Sequence, residues 1–107
     1  MRNLLVLALA ACFAAPTFAA GDAASGQQKS QACAACHGPD GNAPVGPDFP
    51  RLAGQREDYL LKALKDYKAG ARKNPIMAGQ VSGLSMQDLA DLAAFFSSQT
   101  GSLYVKR

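Results

Sequence analysis

Residues Cys33-Ala34-Ala35-Cys36-His37 constrain this chain more than any other feature. Two cysteines three positions apart, followed at once by histidine, are the attachment signature of a c-type haem. The spacing has a mechanical reason. On one helical turn both sulfurs reach the two vinyl groups of a porphyrin edge to form thioethers, and the adjacent imidazole is held beneath the iron. A bare C-x-x-C is less specific, because zinc sites and thioredoxin-like motifs share it. Zinc needs two further ligands, yet the rest of the chain offers only Cys12 and no second histidine. A thioredoxin-like motif needs a βαβ setting, and nothing upstream of Cys33 reads as a strand. The cofactor expected is therefore one haem c, covalent through Cys33 and Cys36.

Such a haem is attached outside the cytoplasm in bacteria, and the N-terminus agrees. Arg2 gives a short positive start, residues 4–15 are almost unbroken apolar sequence, and 16–20 supply small residues for cleavage after Ala19 or Ala20. This pattern predicts a signal peptide over 1–20 and a periplasmic address. The run lacks the polar face of a core helix. It is also short for a bilayer span, and no other segment approaches one, so no transmembrane span is expected in the mature chain. Leu9-Ala10-Ala11-Cys12 also fits a lipoprotein signal, which would leave Cys12 lipidated and the same domain tethered to a membrane.

After cleavage about 87 of the 107 residues remain, enough for one small domain over 21–101 and a short tail over 102–107. Loss of Arg2 lowers the net charge from +3, and two haem propionates would cancel what is left. The basic balance therefore points to no nucleic-acid partner, and no basic patch is visible. A domain of this size is marginal on its own core, and a buried, covalently fixed haem would supply what is missing.

The chain reads as all-α. A first helix is expected over 21–33 with Asp22 as N-cap, and its apolar face is thin. Residues 38–54 carry four prolines and four glycines and form a long loop. A structureless stretch this long in a small domain usually has a function, and wrapping a haem is one. Over 55–69, Tyr59, Leu60, Ala63, Leu64 and Tyr67 make one helical stripe, with Gly70 ending the helix. Residues 71–83 read as a second irregular stretch. The last helix opens at Ser85 with Asp88 three residues on, buries Leu89, Leu92, Ala93 and Phe96, and ends at Gly101.

His37 is the only histidine, so a second imidazole ligand from this chain is impossible. Methionine or an open position remains. Met86 sits where the last helix begins and reads as core or helix-start. Met77, forty residues after His37 in a Pro-containing loop, is the favoured sixth ligand, with Met86, an open iron, or a gap-filling role for Met77 as alternatives. Thioether sulfur favours ferrous iron and raises the potential. Six occupied positions leave none for a substrate, so the expected protein is an electron carrier and not an enzyme.

Over 21–99 the chain resembles a class I cytochrome c, similar to small bacterial monohaem members and to one half of bacterial dihaem cytochromes. The residues that carry this are Cys-Ala-Ala-Cys-His-Gly (33–38), Phe49-Pro50-Arg51-Leu52-Ala53-Gly54-Gln55, Tyr59-Leu60-Leu61, Asn74-Pro75-Ile76-Met77, and Leu89-Ala90-Asp91-Leu92-Ala93-Ala94-Phe95-Phe96. The resemblance implies the class I fold, three main helices plus long loops wrapped round a covalent haem. It places Gly26 against Phe95 where the first and last helices cross. It also implies that Pro50, with Pro47 as fallback, offers its carbonyl to the Nδ1 of His37, and that Leu52, Tyr59, Leu64 and Ile76 pack the haem.

The function implied is a periplasmic one-electron shuttle. Its donor would be a quinol–cytochrome c reductase and its acceptor a terminal oxidase or reductase, meeting through a small transient interface at the exposed haem edge. Arg72 and Lys73, beside Met77, are either steering charges or solvated loop residues. The alternatives are an electron-accepting haem subunit of a periplasmic dehydrogenase, or an open-site haem enzyme or sensor.

Overall fold

The computed structural model describes residues 20–101. Cys12, most of the expected signal peptide and the expected tail lie outside the described residues. Those described are all-helical with no strand, and none of their helices is long and apolar enough to cross a membrane.

Helix α1, Ala23–Lys29, starts where Asp22 stays extended and its carboxylate accepts from the Ala24 amide at 3.1 Å and the Ser25 hydroxyl at 2.8 Å. It stops at Ser30, whose hydroxyl donates back to the Gln27 carbonyl at 2.7 Å, a local bond that competes with the helix ladder. The chain resumes at once as α2, Gln31–His37. The single helix expected over 21–33 is thus two pieces, and the second carries the whole Cys33-to-His37 motif.

Helix α3, Glu57–Ala69, has Glu57 and Asp58 in its first turn and Lys68 in its last, the charge order its dipole favours. Gly70 ends it at φ +77°. The stretch over 71–83, expected to be irregular, contains helix α4, Pro75–Val81. The Asn74 side chain caps it by accepting from the Ile76 and Met77 amides at 3.0 and 3.3 Å, and Pro75 occupies a first-turn position with no amide to satisfy. Helix α5, Met86–Ser98, opens on a reciprocal capping box of Ser85 and Asp88, with bonds of 2.9 and 3.1 Å. It ends three residues before Gly101.

Helix α5 is the hub. From Leu89 to Phe96 every residue is buried, not only the stripe that the sequence marks, because α1 packs on one side and α3 on another. Leu60, Leu92, Ala93, Phe95 and Phe96 form the central cluster, with Leu52, Leu61, Leu64 and Leu84 packed on it. Each large side chain fully buried there contributes about 1.5–3 kcal/mol.

At the α1–α5 crossing the two backbones nearly touch. A Cβ on Gly26 would meet the Asp91 carbonyl oxygen and lie 2.8 Å from the Phe95 Cβ; one on Gly21 would meet the Ala90 carbonyl. Gly26 does lie against Phe95, and the atoms nearest its missing Cβ are the Asp91 carbonyl and the Phe95 Cβ.

The buried Asp91 ties the crossing together. One carboxylate oxygen accepts from the Asp22 backbone amide at 2.8 Å and the Gln87 side-chain Nε2 at 2.9 Å, and the other from Lys29 at 2.6 Å. Lys29 also pairs with Asp88 at 2.8 Å. The Asp22 amide foremost, then Lys29 and Gln87, hold the Asp91 carboxyl down at about 2, against an ordinary 3.8. A depressed pKa means that the unfolded chain binds the proton first as pH falls. The stability Asp91 provides is therefore complete above about pH 5 and drains away as pH drops toward 2. Chemical denaturation of the wild type between pH 5 and 2.5 should show this slope, and Asp91→Asn should flatten it. An equal slope in both proteins would refute the assignment.

Candidate functional site

The site begins where α2 ends. His37 is its last residue, and Gly38 follows at φ +87°, a left-handed turn where a Cβ would also strike Ala43. The turn sends residues 38–54 back across the motif. The Ala43 amide donates to the His37 carbonyl at 3.2 Å, and the Val45 amide to the Cys36 carbonyl at 3.0 Å. Further along, the Leu52 amide donates to the Gly41 carbonyl at 2.9 Å and the Gly54 amide to the Phe96 carbonyl at 3.0 Å. Asn42 reaches the Thr100 carbonyl at 2.8 Å. The proline-rich loop is thus tied at both ends, to the haem motif and to α5.

This loop brings Pro50 to His37. The imidazole is buried, with Nδ1 2.7 Å from the Pro50 carbonyl oxygen; that carbonyl, not that of Pro47, makes the contact. A carbonyl only accepts, so Nδ1 carries the proton and, in the neutral ring, Nε2 presents a bare lone pair. Nε2 is buried and has no hydrogen-bond partner among the described residues. An orphaned buried acceptor carries a desolvation cost, and such a group in a folded protein has a reason. Phe49 meets the imidazole edge-on, with ring centroids 6.3 Å apart at 86°.

Cys33 and Cys36 are free, half-buried thiols on the same short helix. Burial foremost, with the charge of Cys36 adding, pushes the Cys33 thiol up, so it is protonated at neutral pH. Cys33 packs on the core cluster, as does the half-buried Leu52. Of the other residues expected to pack a haem, Leu64 also lies on that cluster, whereas Tyr59 and Ile76 are exposed.

Met77 is the third residue of α4, half-buried, on a helix that packs against α3. Met86 is the first residue of α5 and exposed. Met77 therefore sits in a capped helical turn and not in the irregular loop expected for it. The Asn-Pro pair at 74–75, a polar cap before a first-turn proline, was the available signal for that helix. Arg72 is also more constrained than a solvated loop charge: its guanidinium lies 4.9 Å over the Tyr67 ring. Sequence reasoning missed Lys68, which donates from α3 to the carbonyls of Ser82 and Leu84 just beyond α4.

The family described as Cytochrome c matches residues 23–100. Cytochrome c4 of Pseudomonas aeruginosa is 54% identical over 100 residues, covering 92% of this chain and 49% of that protein. Cytochrome c-554(548) of Halomonas halodenitrificans is 46% identical over 83 residues, covering 75% of this chain and 99% of that one. Among solved structures, reduced recombinant cytochrome c4 from Pseudomonas stutzeri superposes with a TM-score of 0.73 at 54% identity, over 78% of this chain and 48% of that chain. The chain spans about half the length of the cytochrome c4 proteins it matches.

A covalent haem c is the cofactor that such a family implies, and the residues present fit it. Two free thiols three positions apart precede an imidazole whose buried Nε2 lone pair has no partner among the described residues. The all-helical architecture is the class I cytochrome c fold of its structural neighbours. On its sequence, its fold and this donor set, the chain belongs to the cytochrome c family.

Proposed function

We propose that this chain is a periplasmic one-electron carrier, with haem c held through Cys33 and Cys36 and with His37 and Met77 as axial ligands. The observation that carries the reading is the buried, partnerless Nε2 of His37, with Nδ1 committed to the Pro50 carbonyl. When bound, the haem supplies a one-electron couple between ferric and ferrous iron. The chain's residues do the rest. The Pro50 carbonyl keeps the imidazole from turning and raises the donor strength of Nε2. Met77 would offer the iron a soft thioether, which would favour the ferrous form. Leu52, which packs on the core cluster, would add an apolar wall to the site.

Were His37 and Met77 both to bind the iron, no position would be left for a substrate, and the protein would pass electrons without transforming a molecule. The cytochrome c4 relatives support this reading. Donor and acceptor, a quinol–cytochrome c reductase and a terminal oxidase or reductase, would dock in brief encounters. The N-terminal signal pattern supports export.

The test is spectroscopic. The full chain, made with haem-attachment machinery, should be low-spin in both oxidation states, show the weak far-red band of a methionine–iron bond, and take up no CO when reduced. A high-spin ferric spectrum with ready CO binding would move the protein to open-site chemistry.

A further inference from the structure

Helix α4 is too weak to hold Met77 still by itself. It is seven residues long, well short of the ~12–15 at which isolated helices become even marginal. It contains Gly79 in its interior, whose Cβ position is open space, and Val81 at its end. Its position therefore depends on outside ties. At the start, Asn74 satisfies the Ile76 and Met77 amides. At the end, Val81 is buried, and the Leu84 amide donates to the Val81 carbonyl at 3.1 Å. The remaining tie comes from another helix. Lys68, in the last turn of α3, donates its ammonium to the Ser82 carbonyl at 3.2 Å and to the Leu84 carbonyl.

We propose that Lys68 is a positioning residue for Met77: its two-carbonyl clamp pins the end of α4 to α3 and so holds the methionine in place for the iron. This rests on the assignment of Met77 as axial ligand made above. One ammonium bridging two carbonyls beyond the helix end satisfies groups that the helix cannot, and favours the negative end of its dipole. Such charge-assisted bonds are the stronger kind. The clamp links α4 to a longer helix whose Leu60 is in the core, so motion of α4 must break it.

The test compares haem-loaded Lys68→Met with Lys68→Arg. Met keeps an aliphatic stem and removes every donor, whereas Arg keeps donors and charge. In Lys68→Met, the amides of residues 78–81 should exchange about tenfold faster, equivalent to ~1.4 kcal/mol. The far-red methionine–iron band should be lost at lower pH, and reduced protein should begin to bind CO. Lys68→Arg should restore all three. An intact band, no CO binding and unchanged exchange in Lys68→Met would overturn the proposal. Faster exchange with an unmoved band and no CO would also overturn it, by limiting Lys68 to stability. A far-red band absent from the unmutated protein would sink Met77 ligation instead, a separate failure.

Discussion

Gly26→Ala should lower the thermal midpoint of the haem-loaded protein by about 4–16 °C, a net loss of ~1–2 kcal/mol. The new methyl would run into the Asp91 carbonyl and sit 2.8 Å from the Phe95 Cβ. Both obstacles are parts of α5 that cannot swing aside, since Asp91 and Phe95 lie in its fully buried stretch. Relief requires α1 to lift, and that lengthens the bonds from the Asp22 amide and Lys29 to Asp91. Overpacking of this kind costs about 1–3 kcal/mol or more, out of a total of ~5–15 kcal/mol. For a domain this size each kcal/mol moves the midpoint by ~4–8 °C. Alanine's better helix propensity returns only ~1 kcal/mol. Gly79→Ala is the control, being helical with nothing near its Cβ, and should be neutral or stabilising by ~0.5–1 kcal/mol. Equal midpoints for Gly26→Ala and Gly79→Ala would mean that α1 and α5 do not meet backbone to backbone.

The second large effect is electronic. Met77→Ala should abolish the far-red band, open the reduced protein to CO, and lower the potential by on the order of 0.1 V within the ~0.8 V range that axial ligands span. The fold should survive, because Met77 is only half-buried and the α4 cap uses the Asn74 side chain and the Met77 backbone amide, both of which remain. Met86→Ala, at the exposed start of α5, should change none of these readouts. If Met77→Ala keeps the band and Met86→Ala loses it, the ligand assignment is reversed.

The two long helices were legible in the sequence because their signals are local. Tyr59 to Tyr67 and Leu89 to Phe96 repeat at helical spacing, Gly70 follows one helix, and Ser85 and Asp88 open the other. Helix α4 was misread because a proline and a glycine in seven residues outweighed the Asn74 cap. The split at Ser30 was missed because a serine hydroxyl bonding back to Gln27 leaves no mark in the hydrophobic pattern.

By itself, then, the sequence determined the chemistry of attachment: Cys33, Cys36 and His37 are neighbours on one helical turn, and no folding is needed to bring them together. It also determined the helices whose periodicity and caps lie within a few residues. Tertiary structure alone decided that residues 89–96 of α5 are buried on every side, that Gly26 seats backbone on backbone, and that Asp91 meets the amide of Asp22 across 69 positions. It likewise decided for Pro50 over Pro47 as the carbonyl that meets His37, and left Nε2 without a partner among the described residues. The physical reason is range. Caps, turns and periodic faces act between near neighbours, whereas which groups are buried together depends on how distant helices pack, and no local pattern encodes that.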